Sequence, residues 1–286
     1  MESVIRLTPQ SVFQFAMFGD QKLTVSGSAI TDSYDSRNGL YNASTNIGHN
    51  GDVGTNATAT GGVTVSGSIF VDGQVAVGPG VSNPASVVTG YNPAFITGGT
   101  SPPSNTQDII AQSAALPMAP VVIPPALLPF CANSKVNGNT TTTLSPTGGP
   151  LGDGTYCYHD LTIQGNATLT ASGKVKVYLT GALIARGNSV VGVPSDPTQM
   201  IFLMSSSVGA TLEEGTVTGS TQFYGALYGP SATITITGNA EVYGSIIARQ
   251  VNESGSAELH FDEALMDNTD IPGFFKTSVV SWRDLN

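Results

Sequence analysis

Alternating apolar and small polar residues run from Phe202 to Leu265 and predict β-strands with one buried face. The clearest stretch places Ile234, Ile236, Ala240 and Val242 at the apolar positions. Glycine and asparagine interrupt this alternation, and both residues tolerate the left-handed backbone of a tight corner. The pattern therefore predicts short strands joined by sharp corners.

The same strand–corner phrase recurs along the chain. It reads LTVSGSA from Leu23, VTVSGSI from Val63, LTIQGNA from Leu161 and, in a degraded copy, VNESGSA from Val251. A repeated unit of this kind predicts an all-β fold, a β-solenoid or parallel β-helix built from stacked rungs of about 20 residues. The predicted inward positions are Val25, Val65, Ile163, Leu169, Leu183, Ile234, Ile236, Val242 and Ile246.

The chain divides into five segments. Residues 23–77 carry the first rungs, and residues 161–265 carry the main series. Residues 78–160 begin with a proline-rich stretch, and because proline cannot donate to a sheet ladder, we expect an outer strap and loop. The alternative is a hinge between two domains. The aromatic terminal segments, 1–22 and 266–286, are expected to cap the open ends of the stack.

Local patterns add three further expectations. Residues 11–18 are either part of the N-terminal cap or a short helix. Asp108–Ala115 is predicted as a short helix that Asn105 or Thr106 caps. The interval from 27 to 67 separates two copies of the repeat, and its length predicts about two rungs.

Composition narrows the classes of function. Only 10% of the residues are charged, the formal net charge is −10, and the sequence pI is about 4.5. Basic residues are scattered, which argues against nucleic-acid binding and against binding to an anionic membrane surface. No apolar run is long enough to cross a bilayer, so we expect membrane attachment only through an N-terminal anchor absent from this sequence.

The chain has two cysteines, Cys131 and Cys157, whose state depends on whether the protein resides in an oxidising or a reducing compartment. They would form a disulfide in an exported protein and remain free thiols in the cytosol. We predict the disulfide, which would close the loop between the proline-rich strap and the second rung series. This pairing favours an extracellular or bacterial cell-surface location.

Several phrases in their order along the chain resemble one family. They are FQFAMFGD from Phe13, LTVSGSA from Leu23, DSYDS from Asp32, LTIQGNA from Leu161 and HFDEAL from His260. Together they resemble the ectodomain of PilX-type, pilus-assembly-associated surface proteins of bacteria, over nearly the whole chain. The resemblance implies a surface location and no catalytic residues. Family members carry an N-terminal pilin-like transmembrane segment that this sequence lacks. Bactofilins, cytoskeletal polymers with apolar β-rungs, are a looser likeness.

Candidate chemistry is sparse, and no common catalytic motif is present. Asp20, Asp32 and Asp35 could supply oxygen ligands to Ca²⁺, although the simpler interpretation is that they cap turns. Otherwise no cofactor is expected. His260 and Asp262 share one strand face, where they could form a metal or acid/base pair or a ladder of hydrogen bonds.

An enzyme would need paired acids on one exposed face. Glu241, Glu258 and Asp262 are the candidates, and Glu241 and Glu258 lie about one rung apart. Outward threonines such as Thr235 and Thr237 could bind sugars or ice, although threonine is also an ordinary strand residue.

We therefore predict a non-enzymatic extracellular structural or adhesive protein, associated with or assembled into a pilus-like bacterial appendage. Its expected partners are further copies or pilin-like subunits, together with a surface glycan. The alternative is a polysaccharide-acting β-helix enzyme or a glycan-binding module.

Overall fold

A computed structural model describes residues 2–90, 96, 108–213, 220–269, 271 and 275–283, of which 2–9, 213 and 275–283 are described by their backbone alone. The strands are β1 (Glu2–Pro9), β2 (Met17–Gly27), β3 (Ile30–Tyr34), β4 (Val53–Gly54), β5 (Val63–Gly67), β6 (Phe70–Val71), β7 (Val75–Val77), β8 (Val88–Thr89), β9 (Ile109–Ala111), β10 (Ala132–Gly138), β11 (Thr141–Leu144), β12 (Thr155–Gly165), β13 (Thr168–Ala171), β14 (Val175–Leu179), β15 (Leu183–Gly187), β16 (Val190–Gly192), β17 (Met200–Met204), β18 (Ala210–Glu213), β19 (Gln222–Gly238), β20 (Glu241–Gly255), β21 (Glu258–Asp262) and β22 (Phe275–Arg283). Short 3-10 helices occupy Ser36–Asn38, Pro84–Val87, Leu128–Phe130, Pro197–Gln199 and Glu263–Asp267.

Twenty strands pair in parallel and form three ladders. Ladder A contains β10, β12, β15, β18, β19, β20, β2, β5 and β8 in spatial order. Ladder B contains β11, β13, β16, β19, β20, β21, β3 and β6. Ladder C contains β12, β14, β17, β19, β20, β2, β4, β7 and β9. The all-β class with parallel strands is therefore confirmed.

The chain passes through ladders C, A and B in turn and then returns to ladder C. Strands β14, β15, β16 and β17 show one such passage. Each passage is one rung. The repeated phrase of the sequence always lies on ladder A, where the copies that begin at Val251, Leu23 and Val63 pair side by side.

The inner faces of the ladders form one apolar core. Eight of the nine predicted inward positions are buried in this core, and Val65 is partly buried against it. Alternation explains the agreement, because neighbouring residues of a strand point to opposite faces. One polar residue, Glu253, also points inward and has no exposed surface.

The N-terminal and C-terminal rung series form a single stack. Strand β2 lies between β20 on one side and β4 and β5 on the other. The residues from Met17 onward thus lie in the middle of the stack, so this part of segment 1–22 does not cap an open end. The prediction of two rungs between 27 and 67 is also wrong, because Gly27 pairs directly with Gly67. The additional residues form an excursion over 35–50, between β3 and β4.

A second apolar cluster covers the outer face of ladder C. Phe13 and Phe15 contribute to it beside ladder residues such as Ile247. Part of the proline-rich segment packs here as well: Met118, Ala119 and Val121 contact the cluster, and Tyr228 Oη donates to the Ala119 carbonyl at 2.6 Å. The described part of this segment thus runs along the outside of the ladders.

Both local helix predictions are wrong within the described residues. Residues 109–111 of the predicted helix form strand β9, which pairs with β7. Its proposed caps, Asn105 and Thr106, lie outside the described residues. The alternative helix over 11–18 is absent as well, since Met17 and Phe18 already belong to β2. In both places tertiary pairing overrides a weak local preference.

Strands β1 and β22 form a separate antiparallel ribbon that joins the two ends of the chain. Cys131 and Cys157 form the predicted disulfide, which fixes the chain just before β10 to β12. No helix of the described residues has the length and apolar character needed to cross a bilayer.

Candidate functional site

Aromatic and acidic side chains gather on the outer face of ladder B, at the rungs of β19, β20, β21 and β3. We call this group the tyrosine–acid cluster; its members are Asp32, Tyr34, Tyr41, Tyr224, Glu241, Tyr243, Glu258 and His260. Strand register brings most of them together, because Tyr224 pairs with Tyr243, Tyr243 with His260 and His260 with Asp32. The cluster is therefore a consequence of side chains that alternate outward on neighbouring strands.

The rings of the cluster pack closely. Tyr224 and Tyr243 stack with centroids 4.5 Å apart and an interplanar angle of 9°. Tyr34 meets Tyr243 edge-on at 6.3 Å. Tyr41 comes from the 35–50 excursion and stacks on the His260 ring at 3.8 Å. The excursion thus places one of its own side chains over the outer face of the ladder.

His260 is buried between two carboxylates. Its Nδ1 lies 2.6 Å from Asp32 Oδ1, and Tyr41 Oη donates to the other oxygen of Asp32 at 2.7 Å. On the opposite side, His260 Nε2 lies 3.4 Å from Glu258 Oε2 without the geometry of a hydrogen bond. The His260 side chain is 2% exposed, whereas the Glu258 side chain is 50% exposed. Solvent therefore reaches Glu258, whereas His260 Nε2 is buried behind it.

Glu241 and Glu258 pair in register, as their spacing in the sequence predicts. The two residues differ in their contacts. The Glu241 carboxylate accepts hydrogen bonds from Ser220 Oγ at 2.9 Å, Gln222 Nε2 at 2.8 Å and Tyr243 Oη at 2.9 Å. Glu241 is thus held in one position, and Glu258 is the more accessible acid.

Asp262 does not join these two acids on the exposed face. It is fully buried, and its Oδ1 accepts hydrogen bonds from the backbone N–H groups of Ser36 and Ala264. The side chain thereby caps the 3-10 helix at Glu263–Asp267. Burial raises the pKa of Asp262 above its ordinary value. The three acids proposed for an enzyme face are thus divided between an accessible pair and a buried helix cap.

The ionisation of the tyrosines is suppressed throughout the cluster. Burial, with Glu241 nearby, raises the pKa of Tyr224 to about 12. The pKa of Tyr243 is raised further, first by burial and then by the charge of Glu241 and its hydrogen bond. Burial and the hydrogen bond to Asp32 raise the pKa of Tyr41. The phenols therefore remain neutral hydrogen-bond donors at physiological pH.

The three aspartates proposed as Ca²⁺ ligands do not converge. Asp35 pairs with Arg37 at 2.8 Å, and Asp32 pairs with His260. Asp20 follows ladder C and accepts a hydrogen bond from Asn56 Nδ2 at 2.7 Å. Each carboxylate thus already has a protein partner in a different place. Over the described ranges, no group of three or more His, Cys, Asp or Glu residues is arranged to hold a metal ion.

A shallow cavity of about 280 Å³ lies near the Asp262 cap. Its lining includes Ser36, Arg37, Lys174, Asp196 and Asp267. Arg37 pairs with Asp267 at 2.7 Å, and Asp196 accepts hydrogen bonds from Thr198, so both acids have partners. The cavity contains none of the residues of the tyrosine–acid cluster.

The outward threonines lie on ladder A, away from the cluster. Thr235 is in register with Asn252, which in turn is in register with Thr24. These small polar side chains form rows on the outer face of the ladder, and a role in binding sugars or ice stays a prediction.

Sequence reasoning identified the acids and His260 but missed the tyrosines. Tyr224 and Tyr243 could have been found, since each precedes a glycine within similar phrases, FYGALYG and VYGSIIA. No local signal connects Tyr41 with His260, because the contact spans more than 200 residues of sequence.

The fold and the cluster define an all-β protein with parallel ladders and an outer aromatic–acid surface. A family model described as "Domain of unknown function (DUF7305)" matches residues 152–268. No curated protein matches the sequence. One similar solved structure is the crystal structure of an ice binding protein from an Antarctic biological consortium. It has a TM-score of 0.45 and 16% identity, and the match covers 91% of this chain and 93% of that chain.

Proposed function

We propose that the protein is a non-enzymatic structural and adhesive protein of the bacterial surface. In this proposal the three parallel ladders are the faces of a β-solenoid, which forms a stiff body for display outside the cell. The disulfide between Cys131 and Cys157 supports an oxidising compartment. The resemblance to pilus-associated ectodomains supports attachment to, or assembly into, a pilus-like appendage.

The observation that carries this proposal is the state of two of the three candidate acids, Glu241 and Asp262. A glycoside hydrolase needs two carboxyl groups that flank the scissile bond, one of them protonated to act as the acid. Here Glu241 is held by three hydrogen bonds, and Asp262 is buried as a helix cap. Stacked tyrosines beside fixed carboxylates are suited to holding a ligand, because aromatic rings and hydrogen-bond acceptors are already in position.

We infer that the ligand is a surface glycan and that it contacts the edge of the cluster at Tyr224, Tyr243 and Glu241. Sugar rings offer C–H faces to aromatic rings and hydroxyl donors to carboxylates. Further copies of the chain or pilin-like subunits are the proposed structural partners. Open ends of a stack of strands are the natural contacts for such assembly.

Binding of bacterial and host polysaccharides, measured on a glycan array together with product analysis, tests this function. We expect a bound glycan that is recovered intact. Tyr224→Ala should weaken binding at least tenfold, whereas Thr235→Ala, on the outer face of ladder A, should leave it unchanged. Electron microscopy of the same samples should show rods or ordered oligomers.

Release of shortened sugar chains would contradict the proposal. If Glu241→Gln and Asp262→Asn each abolished that release, the polysaccharide-acting enzyme would replace it. Equal binding by the wild type and Tyr224→Ala would contradict the assignment of the glycan to the cluster.

A further inference from the structure

The contact between His260 Nε2 and Glu258 Oε2 brings a buried ring nitrogen without a hydrogen-bond partner close to a carboxylate oxygen. Asp32 accepts a hydrogen bond from Nδ1 of His260, so the neutral imidazole carries its lone pair on Nε2. That lone pair lies 3.4 Å from a carboxylate oxygen and has no hydrogen-bond partner in the described residues. These two electron-rich atoms repel each other unless the imidazole is protonated or a metal ion lies between them.

The separation of these two atoms matches that of two ligands of one metal ion. Bonds of about 2.0–2.1 Å from a tetrahedral zinc ion to nitrogen and oxygen ligands place the two ligand atoms about 3.3 Å apart. A direct hydrogen bond between nitrogen and oxygen is shorter, at about 2.9 Å. The observed 3.4 Å therefore fits a shared metal ion better than a shared proton.

The surroundings of His260 are those of a metal-binding histidine. Such histidines almost always donate the other ring N–H to a carboxylate, which fixes the tautomer and the ring orientation. Asp32 fills this role at 2.6 Å and is itself fixed by the Tyr41 hydroxyl at 2.7 Å. The stacked Tyr41 ring holds the imidazole plane from one side. The first ligand is thus positioned before any ion arrives.

We propose that His260 Nε2 and Glu258 bind one divalent transition-metal ion of the Zn²⁺ and Cu²⁺ class. Imidazole nitrogen and carboxylate oxygen together suit these ions better than Ca²⁺ or Mg²⁺, which prefer oxygen ligands alone. Since the described residues supply no third His, Cys, Asp or Glu to the pair, water completes the coordination shell. The half-exposed Glu258 provides the route of entry.

Titration of the metal-free protein with CuCl₂ and ZnCl₂, followed by calorimetry and electron paramagnetic resonance, tests this site. We expect one Cu²⁺ ion per chain, with hyperfine coupling to a single imidazole nitrogen. His260→Gln and Glu258→Gln should each weaken binding at least tenfold, and Asp32→Asn should weaken it by a similar factor. His159→Gln is the matched control, because His159 is exposed and bonds Thr180 on ladder C.

Other outcomes would overturn the site. Absence of saturable binding, or unchanged binding by Glu258→Gln, would do so, and Glu258 is accessible enough for this variant to fold even if His260→Gln does not. A proton on Nε2 that faces Glu258 and stays there when Cu²⁺ is added would also refute the site. Nuclear magnetic resonance would detect it as a persistent imidazolium. Glycan binding is measured without metal, so the two proposals can fail independently.

Discussion

Among single residues, Glu253 is the strongest departure from the pattern of the ladders. It points inward on β20, in register with Ile236 on one side and Val25 on the other. Its Oε2 accepts a hydrogen bond from the Ser26 N–H at 3.1 Å, while Oε1 has no partner within the described part of the chain. Burial outweighs this hydrogen bonding and raises the pKa of Glu253 to about 7.

This buried acid makes stability depend on pH. The pKa of Glu253 rises from 4.5 to about 7 on folding, so the folded protein binds more protons between these values. The stability that protonation of Glu253 contributes is therefore fully present below about pH 4.5. It is lost as the pH rises through 7, and the loss in the free energy of unfolding is at most about 3 kcal/mol. We expect Glu253→Gln to raise the free energy of unfolding at pH 8 and to flatten this pH dependence.

Urea unfolding of the wild type and the variant at several values between pH 4 and 8 measures the effect. Asp52 and Asp262, whose pKa values burial also raises, contribute equally to both proteins and cancel in the difference. Glu258→Gln is the control, since that side chain is half exposed. If the free energy of unfolding changed with pH in the same way for the wild type and Glu253→Gln, Glu253 would not be the source of the pH dependence.

The sequence already marks this residue. The phrase at Val251 copies the phrase at Leu23 with glutamate in place of the inward valine. Alternation therefore predicts that Glu253 points inward. What alternation could not predict is the hydrogen bond from Ser26, because that residue belongs to a strand 227 positions away.

At the scale of elements, the described corners after the ladder A strands depend on glycine. Gly27 has φ +97°, and a Cβ atom at this position would overlap the carbonyl oxygen of Gly255 on the neighbouring strand. Both the positive φ and the close approach of the two backbones thus restrict this position to glycine. Gly39, in the excursion, has φ +114° but nothing within 4 Å of a Cβ atom.

Comparing these two glycines separates the cost of a strained backbone from the cost of steric overlap with a neighbouring strand. Gly39→Ala should cost about 1 kcal/mol because only the left-handed backbone is disfavoured. Gly27→Ala should cost at least about 2 kcal/mol more, since β2 or β20 must also shift. Chemical denaturation of both variants gives the comparison. Equal losses of stability would mean that the Gly27–Gly255 contact relaxes freely.

The strands that carry the repeated phrase can be predicted from the sequence, whereas the segment inserted between strands cannot. The strands and corner glycines of ladder A follow from alternation and from the recurring Ser-Gly-Ser phrase. The excursion at 35–50 adds about the length of a rung to the interval from 27 to 67, so length alone predicts one rung too many there. Its polar residues instead build a loop, in which Asn46 Nδ2 bonds the carbonyls of Asp35 and Gly39.

At the scale of the whole molecule, the two parts of the chain depend unequally on each other. Residues 131–262 supply a continuous run of strands from β10 to β21. The N-terminal strands continue this stack only through the pairing of β2 and β3 with β20 and β21. Phe13 and Phe15 likewise pack in a cluster with Ile201, Leu203 and Ile247.

We therefore expect a fragment of residues 131–269 to retain β-structure and a fragment of residues 1–130 to be unfolded alone. The shorter N-terminal fragment loses both its ladder partner and the apolar surface that buries its aromatic residues. Circular dichroism and limited proteolysis of each fragment, and then of their mixture, measure the effect. Cooperative unfolding of the isolated 1–130 fragment would contradict this dependence.

The spatial order of rungs could not be derived from the sequence. Periodicity gives the rungs themselves, but each copy of the repeat is a suitable neighbour for several others. The placement of β2 beside β20 is determined by contacts such as the Ser245 hydroxyl that donates to the Phe15 carbonyl at 2.6 Å. Such contacts are specific to the pair and leave no local pattern.

The position of β2 in the middle of the stack has a consequence for biosynthesis. The ribosome makes β2 first among the ladder strands, yet its partner β20 ends only at Gly255. Throughout most of translation the first strands therefore have an open edge, a state that is prone to mispairing. The nascent chain cannot complete its ladders from the N-terminus onward, so β2 and β3 reach their native partners only after β20 and β21 have been made.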